Sequence, residues 1–247
     1  KEAGEVLKGN IGRYLFISSG AVYKKSNYFP VQEHFERAPN ELFFTYSDEK
    51  IKGENFLLEF SSNGYFETVS CRLPYVMGID NYEDREGFVL SRVIHDRPVL
   101  VPNSGESVKS FIYAGDVAKA LLALTRAGSH VDGEAFNIAI PEGITGMGFV
   151  RICSEVVGKE AKVHFVDPNH PSLQQQGFNL RDMLFPFPES TGYLDYRKLQ
   201  NYTGFVPRFS LKEAISEFYQ DMIARGNTSP RRYELEDRAL ALLNLKD

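Results

Sequence analysis

A phenol and an ammonium four residues apart, Tyr46 and Lys50 in the run Tyr46-Ser47-Asp48-Glu49-Lys50, are the side chains of this sequence best suited to moving a proton. Four residues are about one helical turn, so both groups leave the same face and can reach one reacting centre. An ammonium beside a phenol favours the phenolate, which lets a tyrosine act as general acid or base near neutral pH. The spacing is also common on ordinary surface helices, so the pair needs context. That context lies upstream, where the apolar run Arg13 to Ser18 leads into Ser18-Ser19-Gly20-Ala21-Val22-Tyr23. Serines there stand at the C-terminal edge of a predicted strand, the edge at which parallel sheets bind ligands. A hydroxyl at that edge can hydrogen-bond a substrate carbonyl or alkoxide. The plainer alternative is a turn whose serines satisfy their own backbone.

These residues need elements to hold them, and the hydrophobic pattern supplies them. Glu2 to Lys8 read as the end of a helix stopped by Gly9-Asn10, and Arg13 to Ser18 as a buried strand. Asn40 to Phe60 carry helical periodicity, and Glu67 to Leu73 return to β-branched, strand-like content. Helix and strand alternate, as in a parallel α/β sheet. Further on, Phe88 to His95 read as a helix and Pro98 to Pro102 as a short extended piece. Phe111 to Ala127 read as a strand entering a helix, Glu134 to Ile140 as a strand, Gly148 to Gly158 as a helix and Lys162 to Asp167 as a strand. Pro168 to Pro188 read mainly as loop. Ser210 and Glu213 have capping-box spacing ahead of a helix to about Ile223, and Tyr233 to Leu245 form an amphipathic helix. The acidic run Tyr82 to Glu86 is expected to be a solvated face.

Bulk properties exclude some classes of function. The 247 residues are 43% hydrophobic and carry a net charge of −5, so a sizeable core is expected and no chain-wide basic field favours nucleic acid or an anionic membrane. Two cysteines, Cys71 and Cys153, cannot build a disulfide framework and are expected as core thiols. No apolar run is long enough to span a membrane, and a cytoplasmic protein is the default expectation. Five histidines show neither the i, i+4 pairing nor a cysteine partner, so no metal site is expected.

The block Phe16-Ile17-Ser18-Ser19-Gly20-Ala21-Val22-Tyr23, followed by Tyr46-x-x-x-Lys50-x-x-x-Glu54, resembles the extended short-chain dehydrogenase/reductases, the NAD-dependent epimerase/dehydratase group. Arg72 to Gly78, Lys109 to Val117, Phe136-Asn137-Ile138, Asp195 to Lys198, Gly204 to Pro207 and Ser210-Leu211 are similar to later blocks of the same family. The resemblance implies a partial Rossmann-type parallel sheet with a smaller C-terminal α+β substrate lobe. Residues 1–78 and 109–140 fall to the first, and 79–108 with 141–247 to the second. It implies NAD or NADP as cofactor and a small polar, sugar-like substrate oxidised or epimerised at a carbonyl/alcohol centre. Tyr46 matches the general acid/base, Lys50 the lysine that also holds the nicotinamide ribose, and Ser19 the catalytic hydroxyl. Ser18, Leu73, Pro74 and Tyr75 fall to the cofactor. Gly20, Tyr75 and Lys109 fall, with Ser19, to the substrate; Glu54 has a structural role. A homodimer is also implied.

Departures from the family pattern narrow the expectation. Gly20-Ala21 stand where sugar 4,6-dehydratases carry an Asp-Glu pair, so elimination of water is not expected. Lys109 replaces an arginine that grips a diphosphate, keeping charge while losing the bidentate fork. No glycine-rich turn precedes Arg13, which points to a cofactor-binding half outside this sequence. The stretch Gly143-x-x-Gly146-x-Gly148 imitates such a turn without its spacing and is not expected to bind nucleotide. The segment Phe185-Pro186-Phe187-Pro188 resembles an atypical branch that includes chloroplast stem-loop-binding proteins, leaving a noncatalytic or RNA-associated scaffold as the alternative.

Overall fold

A computed structural model describes residues 2–178, 185–229 and 233–245. Along the first half run α1 (Glu2–Leu7), β1 (Arg13–Ser19), α2 (Phe44–Ser62), β2 (Glu67–Leu73), β3 (Tyr75–Met77), α3 (Arg85–Ile94), β4 (Val99–Pro102), β5 (Val108–Lys109), β6 (Phe111–Tyr113) and α4 (Ala114–Arg126). The second half adds β7 (Ala135–Asn137), β8 (Ile144–Thr145), α5 (Gly146–Val157), β9 (Val163–Val166), α6 (Pro171–Gln175), α7 (Arg197–Thr203), α8 (Leu211–Ala224) and α9 (Tyr233–Leu243). The chain forms two compact units. One takes the residues up to Val76 with Ser110–Glu142 and Gly192–Arg208; the other takes Met77–Lys109, Gly143–Thr191 and the residues from Phe209 on.

The first unit is built on a parallel sheet in the order β1-β2-β7, with α2 as the crossover between β1 and β2. Its register sets Ser18, Arg72 and Asn137 side by side across the three strands. On one flank Leu57, Phe60 and Phe66 make a buried cluster under Tyr14 and Phe16. A second cluster joins Val22, Tyr23 and Val31 to Ala139 and Leu194. Helix α2 lies close over β1 because Gly53 has no side chain: a Cβ there would stand 2.6 Å from the Phe16 ring. Gly53→Val is therefore expected to destabilise this unit by about 2 kcal/mol, through overpacking against Phe16 and a β-branched residue inside a helix. Chemical denaturation of the variant against the parent protein measures it.

In the second unit β4 pairs in parallel with β9, and β5 pairs antiparallel with β8. Helices α3, α5 and α8 pack together. Leu100, Val166, Leu173 and Phe178 form a core with Ala239 and Leu240 of α9. The expected capping box opens α8: Ser210 Oγ accepts from Glu213 N, and Glu213 Oε2 accepts from Ser210 N at 2.8 Å. Cys71 and Cys153 are both buried and free, and burial pushes the Cys71 thiol up to about 12. No helix among the described residues is long and apolar enough to cross a membrane.

Several expectations need correction. Residues 192–208 belong with the sheet rather than with the second unit, because backbone and side-chain hydrogen bonds tie them to it. Val31 N donates to Tyr193 O at 2.7 Å, Asp195 N to Val31 O at 2.9 Å, and Lys198 Nζ to Ala135 O at 2.9 Å. Helix α7 in that segment has only modest apolar periodicity, a weak signal in the sequence. The acidic run is not uniformly solvated: Tyr82 is exposed, but Glu86 is fully buried, accepting from Gly78 N at 2.7 Å and from Asn81 Nδ2 at 3.1 Å. The turn before α3 needs those acceptors, and one carboxylate supplies both. Helix α2 starts at Phe44 rather than Asn40, since Asn40 closes a turn by accepting from Leu42 N. Helix α6 interrupts the stretch expected as loop.

Candidate active site

Helix α2 carries Tyr46, Lys50 and Glu54 at successive turns, and their environments differ sharply. Tyr46 is 47% exposed, Lys50 is half-buried, and Glu54 is 1% exposed. The Lys50 ammonium lies 5.6 Å from the centre of the Tyr46 ring and 5.3 Å from that of Phe16. It donates to the carbonyl of Ile17 at 2.8 Å, on the strand that ends in the serines. A half-buried cation thus lies beside the ring of an exposed tyrosine.

The two serines at the end of β1 take opposite roles, as alternation along a strand dictates. Ser18 is buried and donates to Glu54 Oε1 at 2.5 Å, so the cofactor contact expected of it gives way to one inside the protein. Ser19 is half-buried and its Oγ accepts from Ala21 N at 3.1 Å. That bond fixes the side chain in the turn while leaving its O–H free to donate. Gly20 follows packed against Leu194, where an added Cβ would stand a crowded 3.0 Å from that side chain. Beside Ser19 in register lies Leu73 at the end of β2, followed by Pro74 and by Tyr75 at the start of β3, all half-buried. Tyr75 packs 5.9 Å from the ring of Phe111 and donates through its N–H to Ser110 O.

Beneath this rim runs a polar layer that the sequence did not announce. Glu54 accepts from Arg72 Nε at 2.9 Å and Nη2 at 2.7 Å, and from Arg37 Nη1 at 2.7 Å. Burial by itself would raise the Glu54 carboxyl, but the bonds and charge of Arg72, with Ser18 and Arg37, outweigh it and hold the group below its ordinary value. Arg72 also donates to Tyr23 Oη at 2.9 Å, and Tyr23 donates to Asn137 Oδ1 at 2.7 Å. Burial pushes the Tyr23 phenol well up, so it stays protonated and can make that bond. The one available signal in the sequence was Glu54 itself, one turn beyond Lys50 on the same helix.

A cleft of about 410 Å³ in the same unit is lined by Glu33, Asp195, Arg197, Lys198 and Tyr202 among others. Its charges are largely spent on each other: Arg197 bonds Asp195, holding that carboxyl down at about 2, and Lys198 bonds Glu134 at 2.6 Å. In the second unit Lys109 is buried, with Nζ donating to Ser107 Oγ at 2.5 Å, and burial brings its ammonium down to about 8. Backbone N–H groups of the imitation glycine turn are engaged within the protein. Thr145 Oγ accepts from Gly148 N at 2.9 Å, Met147 N donates to Gly105 O at 3.0 Å, and the flanking strands β7 and β9 lie in different sheets. Among the described residues no group of His, Cys, Asp or Glu is arranged to hold a metal ion.

The residues present suit the nicotinamide end of a dinucleotide. Lys50 offers a half-buried ammonium, Ser19 a free donor, and Leu73 and Pro74 an apolar rim, all beside the C-terminal edge of a parallel sheet. Comparison with known proteins identifies the family. The model of the NAD dependent epimerase/dehydratase family matches residues 4–139. The chloroplast stem-loop binding protein of 41 kDa b from Arabidopsis thaliana is 27% identical over 215 residues, 87% of this chain and 53% of its own length. A putative UDP-glucose 4-epimerase from Methanocaldococcus jannaschii is 25% identical, over 84% of this chain and 62% of its own. The chain thus spans between half and two thirds of these relatives. The crystal structure of UDP-glucuronic acid 4-epimerase from Bacillus cereus, in complex with UDP-glucuronic acid and NAD, superposes with a TM-score of 0.70. It is 20% identical, and the match covers 90% of this chain and 65% of that one, a likeness of Rossmann-type fold. The family match takes in the serine edge, helix α2 and the Arg72 strand, and on that ground the chain belongs to the NAD-dependent epimerase/dehydratase family.

Proposed function

We propose that this chain carries the acid/base half of an NAD(P)-dependent enzyme that oxidises or epimerises an alcohol centre of a sugar-like substrate. The observation that supports it is the placing of Tyr46 and Lys50 on one face of α2, with Lys50 bonded to the strand that ends in Ser19. Ser19 would donate to the reacting oxygen and orient it. The Tyr46 phenolate would take the hydroxyl proton as the carbon–hydrogen bond breaks, and return it when the carbonyl is reduced. Lys50 would hold the ribose hydroxyls. Leu73, Pro74 and Tyr75 would shield the nicotinamide from water. A bound nicotinamide supplies the chemistry that the side chains lack, accepting hydride and giving it back.

The full-length protein incubated with NAD, or in parallel NADP, and with UDP-glucose or UDP-glucuronic acid as probes tests this reading. Nicotinamide binding by calorimetry and conversion of a probe, followed by chromatography, are expected. Absence of any nicotinamide binding sinks it. A second reading, an RNA-associated scaffold, is favoured by the name of the Arabidopsis relative. Binding of a stem-loop RNA that weakens steeply with salt, without nicotinamide binding, would establish that reading instead.

A further inference from the structure

Lys50 has no ion-pair partner among the described residues, and its ammonium is held by a single backbone carbonyl, Ile17 O. Its position depends on how α2 sits over β1. One turn along α2, Glu54 reaches the next residue of the same strand, Ser18. Consecutive strand residues are thus tied to side chains four apart on the helix, a two-point attachment that fixes both the helix height and its rotation. Glu54 is in turn gripped by two nitrogens of Arg72 and one of Arg37, whose other terminal nitrogen donates to Asn55 Oδ1 at 2.9 Å.

Such a cluster is a poor way to gain stability, because desolvating buried charges offsets most of their attraction, and well-packed apolar residues do as well or better. What it supplies is directionality. Leu57 and Phe60, further along α2, make contacts without directional preference, whereas four hydrogen bonds to one carboxylate allow one seating.

We propose that Glu54 is a positioning residue, whose carboxylate, clamped by Ser18, Arg37 and Arg72, seats α2 so that the Lys50 ammonium is delivered to the Ile17 carbonyl at the edge of the site. The inference rests on reading Tyr46 and Lys50 as the working pair, but the contact itself is measurable without turnover. An ammonium bonded to a carbonyl must give up that bond before its amine can attack an electrophile. Competitive acetylation of the full-length protein with acetic anhydride, quantified by mass spectrometry, reads this for Lys50 against Lys52, which is exposed on the same helix and paired with Asp48.

Glu54→Gln is expected to raise the labelling rate of Lys50 relative to Lys52 about fivefold, the factor that one net hydrogen bond supplies, with Glu54→Asp partly restoring the parent ratio. A general loosening of α2 would raise both lysines together, and an unchanged ratio in folded protein would show the cluster to be structural only; either result overturns the proposal. If Glu54→Gln does not fold, Arg37→Gln, at the partly exposed edge of the cluster, is expected to shift the same ratio in the same direction, and no shift there overturns the proposal equally. Retained turnover in Tyr46→Phe would sink the enzymatic reading and leave this labelling result standing.

Discussion

Tyr46→Phe in the full-length protein is expected to lower turnover by roughly 100- to 10,000-fold, the range that a positioned general acid/base contributes, while nicotinamide affinity stays within about twofold. The substitution removes one oxygen and nothing else. Tyr46 is half-exposed at the start of α2, so the helix loses no buried contact and the fold should be untouched. The ring that faces Lys50 remains, so the ammonium keeps its place and its bond to Ile17 O. Steady-state kinetics with the converted probe and calorimetric titration with NAD give the two quantities separately. A parallel loss of both would mean that the phenol holds cofactor rather than moving a proton, and unchanged turnover would refute its role.

The largest effect on stability is expected at Arg72. Arg72→Met keeps most of the aliphatic volume but leaves Glu54 buried with only Arg37 and Ser18 as partners, and strands Tyr23 Oη and the Glu33 carbonyl without their donor. Removing one partner of a buried ion pair costs about 3–5 kcal/mol, because the remaining charge stays desolvated. The deficit should depend on pH in a defined sense. In the parent protein the Glu54 carboxyl is held below its ordinary value, so its contribution is fully present above that value and is lost as the pH falls through the lowered one. Without Arg72, burial dominates and raises the carboxyl, so folding then favours the protonated form and acidification restores stability. The gap between parent and variant, measured by urea denaturation, should therefore be widest near neutrality and narrow as the pH approaches the ordinary glutamate value. A gap independent of pH would place the cost elsewhere, in lost packing of the methylenes.

The clamp also explains why the site was only partly legible beforehand. The Tyr46–Lys50 spacing and the serine-ended strand are local patterns, and periodicity places both on the elements that carry them. Glu54 was legible as a residue one turn further on, but its four donors come from β1, β2 and the loop between β1 and α2, separated by up to 36 residues. No window of sequence contains that arrangement. The same reason undid the assignment of residues 192–208: their bonds to Val31, Ser110 and Ala135 are long-range backbone and side-chain pairings with no local signature. Glu86 looked like one acidic residue among several, and only the tight turn at Gly78 made its burial worthwhile.

Periodicity and neighbours within a turn were enough to set the alternation of helix and strand, the parallel sheet that such alternation demands, the capping of α8 and the spacing that puts a phenol beside an ammonium. A linear string records those relations directly. Folding in three dimensions settled the rest: which serine faces inward, which carboxylate is buried, and what the Lys50 ammonium touches. Those outcomes depend on which strands become neighbours and in what register, because a buried polar group is satisfied by the partners that folding brings to it from distant positions.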